Sequence, residues 1–367
     1  MEKLKNISVL IKPSSSMCNL RCRYCFYIDV SKNRNIENYG FITEETSKNL
    51  INEIFDVIAD DGIITFNFQG GEPTLIGLDY YEFFTNEVYE RIKEKNIKIN
   101  FAIQTNGTLI DEEWAKFFYE NKFLVGISLD GFEENNNYFR LDKNGRVQFN
   151  KTMEAIKILE KYNVQFNILT VLTNSLSHYP EDLYHFYKKN NFEYIQLISC
   201  LSPLGEDNKR TGLKPKNFSK FYKKLFDIWY EDEKRINITL FNDVFPMLIG
   251  IPPMTCGMLG FCAIQLVIEA DGGVYPCDFY VIDKYRIGNI NEDSIFDIVN
   301  SEKARKFINE PKRFSSLCKN CRFINICNGN CKRLNISMFE KDYCGYKDFL
   351  EYSLDRGYEI IKEKINR

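Results

Sequence analysis

Along the first two hundred residues, short apolar runs alternate with longer amphipathic stretches. The runs "SVLIKP" (8–13), "IITFNFQ" (63–69), "INFAIQT" (99–105), "LVGISLD" (124–130), "VQFNILTVL" (164–172) and "YIQLISC" (194–200) predict strands. Between them, apolar residues recur at helical spacing near 44–60, 79–95, 111–121, 150–162 and 180–190. Thr43 stands where an N-cap belongs, although Thr46 takes the position a full capping box gives to Glu or Gln. Six strands alternating with helices predict βα units, a parallel sheet and an α/β fold. Six units fall short of an eight-fold barrel, which leaves a partial barrel or an open sheet.

In such folds chemistry collects at the C-terminal ends of the strands. Here those ends read "QGGEPT", "QTNGT", "SLDG" and "SCLSPLGE". Gly and Asn make turns anywhere, but four polar strand ends in register predict a rim that holds a ligand. The pattern changes near residue 205. "LSPLGEDNKRTGLKPKN" is turn-rich, a helical stretch follows over 216–235, and beyond it cysteines crowd. The expected organisation is a core over 1–205, a linker with helices over 206–250 and a cysteine-rich domain over 251–367.

Of the 367 residues 44% are apolar, enough for a substantial core, and the net charge is −3. With no long Lys/Arg tract, nucleic acid is not expected as a partner. No apolar stretch reaches membrane-spanning length and the N-terminus lacks a signal-peptide pattern, so a cytoplasmic address is expected. In that reducing compartment twelve cysteines point to metal or catalysis. Only two histidines, His178 and His185, are present, with Pro180 between them, which argues against histidine-dependent mechanisms.

Cys18, Cys22 and Cys25 form C-x3-C-x2-C. Eight more cysteines follow late in the chain: Cys256, Cys262, Cys277, Cys318, Cys321, Cys327, Cys331 and Cys344. Eight thiolates make two four-ligand sites, filled sequentially or interleaved, with zinc or an iron–sulfur cluster. Three thiolates on a four-iron cube leave one iron open, and an open position is how a metal site admits a substrate.

The triplet, with an aromatic residue before its last cysteine, and "FQGGEPTL" resemble the signatures of radical S-adenosylmethionine enzymes. The eight-cysteine tail resembles the SPASM extension. The resemblance implies a partial (β/α)6 TIM-like barrel followed by a SPASM domain. Within that group, "CFY" (25–27), "QTNGTLID" (104–111) and "VYPCDFYV" (274–281) are similar to anaerobic sulfatase-maturating enzymes. These oxidise one Cys or Ser of a sulfatase polypeptide to Cα-formylglycine.

The resemblance implies three [4Fe–4S] clusters and S-adenosylmethionine. Cys18, Cys22 and Cys25 would hold the cofactor's cluster. Cys256, Cys262, Cys277 and Cys331 would hold one auxiliary cluster; Cys318, Cys321, Cys327 and Cys344 would hold the other. Cys200 is left as a structural thiol. Tyr24, Gly70, Gly71, Glu72, Ser128, Arg140 and Leu201 would contact the cofactor, with Pro73 shaping that edge. Tyr27 and Gln69 would line the substrate pocket, and Asp278 would be the base. An electron donor such as ferredoxin or flavodoxin is implied. The segment "GFEENNNYF" before Arg140, expected as a loop, departs from the family pattern in its run of asparagines. The alternatives are another SPASM maturase, forming thioether or carbon–carbon crosslinks, and a zinc-stapled scaffold.

Overall fold

The computed structural model describes residues 3–93, 95–204 and 211–365, so 206–210 of the expected linker lie outside the described residues. In chain order the elements begin β1 (Leu4–Ile11), α1 (Phe26–Lys32), α2 (Glu44–Val57), β2 (Ile58–Phe68), α3 (Leu78–Ile92), β3 (Lys98–Thr105), α4 (Glu112–Glu120) and β4 (Leu124–Ser128). There follow α5 (Glu133–Phe139), α6 (Phe149–Lys161), β5 (Phe166–Leu172), α7 (Pro180–Lys189), β6 (Tyr194–Ser199), α8 (Pro215–Glu231), β7 (Asn237–Ile238) and α9 (Thr239–Met247). The remainder comprises β8 (Val267–Ile268), β9 (Gly273–Tyr275), β10 (Gly288–Asn289), α10 (Ile295–Asn300), α11 (Glu302–Asn309), α12 (Ile324–Cys327), β11 (Phe339–Glu340), β12 (Tyr343–Cys344) and α13 (Gly345–Ile365).

The six expected strands are all present, but several boundaries move, most at the start of β2, which begins at Ile58 rather than 63. β1 starts at Leu4, and α2 stops at Val57, where the chain turns directly into β2. The segment "ADDG" is polar because its two aspartates are exposed near the start of β2, where Lys5 pairs with Asp61 at 2.5 Å. The Asn-rich segment before Arg140 forms a helix, α5, not a loop. Its asparagines tie the turn from β4: Asn136 accepts from the Asp130 amide at 3.1 Å, and Asn135 donates to the Asp130 carbonyl at 2.8 Å.

The chain divides into two compact units. The first comprises 1–128, 140–166 and 263–310. Its strands run β10-β9-β8-β1-β2-β3-β4, parallel from β8 to β4, with β9 and β10 turned antiparallel at one edge. An aromatic layer fills its core: Phe101 stacks on Phe123 at 5.0 Å, and Phe68 meets Tyr81 at 5.0 Å. Each such buried ring contributes about 1.5–3 kcal/mol. Because β8, β1 and β2 are parallel neighbours, Glu269, Lys12 and Gln69 leave the sheet side by side at their C-terminal ends.

The second unit comprises 129–139, 167–262 and 311–367. Its strands β5, β6 and β7 pair in parallel. The apolar face of α8, carrying Tyr222 and Phe226, packs on Phe241 of α9 and Phe349 of α13. No described helix is long and apolar enough to cross a membrane.

Candidate functional site

The cysteine loop leaves the end of β1 through a left-handed residue, Ser15, at φ 47°. It lies directly on "QGGEP" at the end of β2. The Gly71 amide donates to the Ser15 carbonyl at 2.9 Å, and the Glu72 amide to the Met17 carbonyl at 2.7 Å. A Cβ on Gly71 would stand 1.9 Å from the Met17 carbonyl oxygen, and Gly70 holds φ at +134°. Both glycines are therefore required by the approach of the cysteine loop itself.

Glu72 is 1% exposed, and four donors occupy its carboxylate: the amides of Thr74 and Asn106 and the hydroxyls of Thr74 and Thr105. Burial raises its pKa, against the pull of those hydrogen bonds. The carboxylate locks the end of β2 to the end of β3. Asn19 extends the lock, accepting from Asn106 at 2.9 Å and donating to Thr108 at 2.8 Å. On the other side, the Arg21 amide donates to the Leu141 carbonyl at 2.6 Å.

That last contact places the triplet beside Arg140. Arg140 is 7% exposed, so it is not a surface residue, and its guanidinium lies 5.7 Å from the centre of the Tyr24 ring. Ser128 is half-buried at the end of β4. Burial pushes the Cys18 thiol up to about 12, with the Glu72 charge adding to it. Burial also raises Cys25, against the amides of Ile28 and Tyr27.

All twelve cysteines lie among the described residues and none is in a disulfide. No group of three His, Cys, Asp or Glu among the described residues surrounds a single ion. Three clustered thiols on one loop, closed on each flank by a strand end, fit a cube with one open iron.

Next to this loop lies a line of alternating charge. Lys12 is 0% exposed, and its ammonium donates to Asp278 Oδ1 at 2.5 Å. Gln69 Nε2 donates to Asp278 Oδ2 at 2.7 Å. Both carboxylate oxygens are thus fixed from the ends of β1 and β2. The Lys12 ammonium also lies 4.0 Å from the centre of the Tyr27 ring. The Tyr27 hydroxyl donates to Glu269, whose Oε1 also accepts from Arg34 at 2.6 Å. Burial first, and then the Glu269 charge, raise the Tyr27 phenol well above its ordinary value.

Sequence reasoning reached Asp278, Gln69 and Tyr27 but missed Lys12, Glu269 and Arg34. The available signal was a lysine closing an apolar strand, "SVLIKP", where a charge has no reason to be unless a partner waits.

Cys277 belongs to the first unit, where it follows β9 and precedes Asp278. The second unit carries the other seven late cysteines. Cys327 and Cys344 lie within electrostatic reach of Cys318 and Cys321. These four line one small cavity with Phe323 and Tyr346. Cys256 lies within reach of Cys262 and Cys331. Leu201 is buried just past β6. Cys200 is 2% exposed, and burial lifts its thiol to about 12.

Comparisons with known proteins place the chain among relatives. The Radical SAM superfamily matches residues 13–187, and the SPASM iron–sulfur cluster-binding domain matches 261–322. A cysteine-type anaerobic sulfatase-maturating enzyme of Clostridium novyi is 42% identical over 98% of both chains. A serine-type anaerobic sulfatase-maturating enzyme of Bacteroides thetaiotaomicron is 30% identical over 91% of this chain and 84% of its own. Among solved structures, native anSMEcpe with bound AdoMet and the Cp18Cys peptide superposes with a TM-score of 0.89. It is 38% identical, over 98% of this chain and 99% of that one.

Proposed function

The chain belongs to the anaerobic sulfatase-maturating enzymes of the radical SAM superfamily, and on that premise we propose that it oxidises a cysteine of a sulfatase polypeptide to Cα-formylglycine. Cysteine is favoured over serine because the cysteine-type relative matches at 42% identity and the serine-type relative at 30%. The observation that carries the reading is the carboxylate of Asp278, fixed on both oxygens beside Cys277.

Converting –CH2–SH to –CH=S removes a hydrogen atom from Cβ, a proton from sulfur and one electron. Water then exchanges sulfur for oxygen, releasing hydrogen sulfide. The cluster on Cys18, Cys22 and Cys25 would supply the electron that cleaves S-adenosylmethionine to the hydrogen-abstracting 5′-deoxyadenosyl radical. Every other task falls to the chain. Gly70, Gly71 and Glu72 shape the edge that receives the methionyl group. Arg140, with its planar fork, would face the carboxylate of the cofactor. Tyr24, Ser128 and Leu201 would contact its nucleoside.

Asp278 would accept the thiol proton. Lys12 and Gln69 fix where its oxygens point, and Tyr27, pinned by Glu269, walls the same pocket. Cys277 would be a ligand of an auxiliary cluster beside the base, and such a cluster would supply the acceptor for the electron that accompanies the proton. Within the second unit, Cys256, Cys262 and Cys331 would serve as auxiliary-cluster ligands, and Cys318, Cys321, Cys327 and Cys344 would hold a further cluster. A one-electron carrier of the ferredoxin or flavodoxin kind would supply reducing power.

The test is Asp278→Asn. The variant is expected to keep forming 5′-deoxyadenosine with a cysteine peptide while aldehyde product disappears. Unchanged aldehyde formation would remove Asp278 from the role of base.

A further inference from the structure

Lys312 sits where the two cysteine-bearing loops of the second unit meet. Its ammonium donates to three backbone carbonyls, those of Gly260, Asn328 and Asn330, the last at 3.2 Å. The positions of these carbonyls decide the matter. Gly260 stands two residues before Cys262. Asn328 directly follows Cys327, and Asn330 directly precedes Cys331. One cation therefore ties a loop carrying Cys262 to the short connection between Cys327 and Cys331.

The backbone is shaped to allow this. Asn328, Gly329 and Asn330 hold φ at 45°, 74° and 54°, a left-handed run. At Gly260 a Cβ would lie 2.3 Å from the Asn328 Cβ, so glycine alone lets the loops close. At Gly329 a Cβ would lie 2.6 Å from the Phe314 ring. The Lys312 ammonium lies 5.0 Å from the centre of that ring.

The electrostatics follow the geometry. Lys312 feels the thiols of Cys262 and Cys331 and also those of Cys318 and Cys327, against a desolvation cost that lowers its pKa. On the cluster reading above, these pairs belong to different auxiliary sites.

We propose that Lys312 is a shared electrostatic positioning residue for the two auxiliary clusters, clamping their loops together and raising the reduction potential of both. The sign is fixed by charge: reduction adds an electron to each site, and a nearby cation stabilises the added negative charge. The proposal rests on the two auxiliary cysteine groups each holding a cluster.

The test compares the reconstituted full-length protein with Lys312→Met, Lys312→Gln and Lys312→Arg. Iron per chain is measured first, and the auxiliary clusters are then titrated by potentiometry with electron paramagnetic resonance detection. If the unaltered protein holds iron for the N-terminal cluster alone, the cluster reading fails, independently of Lys312. With full loading, both neutral variants should shift the reduced-to-oxidised ratio at fixed potential about tenfold toward oxidised, some 59 mV downward for one electron. Lys312→Arg should restore both potentials. Auxiliary iron lost in both neutral variants but kept in Lys312→Arg would also support the proposal, since charge is then what holds the loops. Potentials unmoved in the neutral variants, an arginine variant as low as the neutral ones, or iron lost equally in all three would overturn it.

Discussion

Replacing Lys12 by Met probes the buried pair that fixes Asp278. The Lys12 side chain is 0% exposed and that of Asp278 is 15%. Removing one partner of such a pair leaves an uncompensated charge, at a cost of about 3–5 kcal/mol. The residual exposure of Asp278 and its hydrogen bond from Gln69 place Lys12→Met near ~3 kcal/mol. Asp278→Asn leaves the lysine buried against the Tyr27 ring and costs a similar amount. The double variant leaves no buried charge, so it should cost less than the two single changes together, by about 2–3 kcal/mol. Urea unfolding of the metal-free chain measures this if the two units are separated. With Trp229 replaced by Phe, fluorescence comes from Trp114, which belongs to the first unit, as does the pair. Double-variant costs equal to the sum of the singles within about 0.5 kcal/mol would refute the coupling.

Gly71→Ala should push the Met17 carbonyl aside, because the new Cβ has 1.9 Å of space; iron bound by the N-terminal cluster should fall, and full retention would contradict the packing. The Cys18 thiol, held up to about 12, carries its proton at neutral pH, so cluster assembly must release it. Iron uptake at the triplet should therefore strengthen as pH rises from about 6 to 8, and a flat profile would count against burial of that thiol. Asp278→Asn should lower aldehyde formation by roughly 10²–10⁴ while 5′-deoxyadenosine persists, measured on one reaction mixture.

Much of the fold was legible because periodicity is local. Six strands and the helices between them follow from apolar spacing, and the strand ends follow in turn. The α5 region failed for a physical reason: Asn is a turn former in isolation, but Asn135 and Asn136 bind back to Asp130 and make the turn part of a helix start. The triplet and the eight late cysteines were legible because thiols spaced for metal are rare. Lys12 was legible only as a charge closing an apolar strand, since the partner that explains it stands 266 residues away. Glu269 was hidden likewise, 242 residues from Tyr27. At Gly71 the structure adds a second demand to the expected cofactor approach, since its missing side chain also seats the cysteine loop.

The most direct measurement is mass spectrometry of a sulfatase-derived peptide incubated anaerobically with the reconstituted protein, S-adenosylmethionine and a reductant. Matched cysteine and serine versions of the target residue are run side by side. The cysteine peptide should show the exchange of –CH2SH for –CHO, with 5′-deoxyadenosine formed alongside. A cysteine peptide left intact while 5′-deoxyadenosine accumulates would contradict the proposed function.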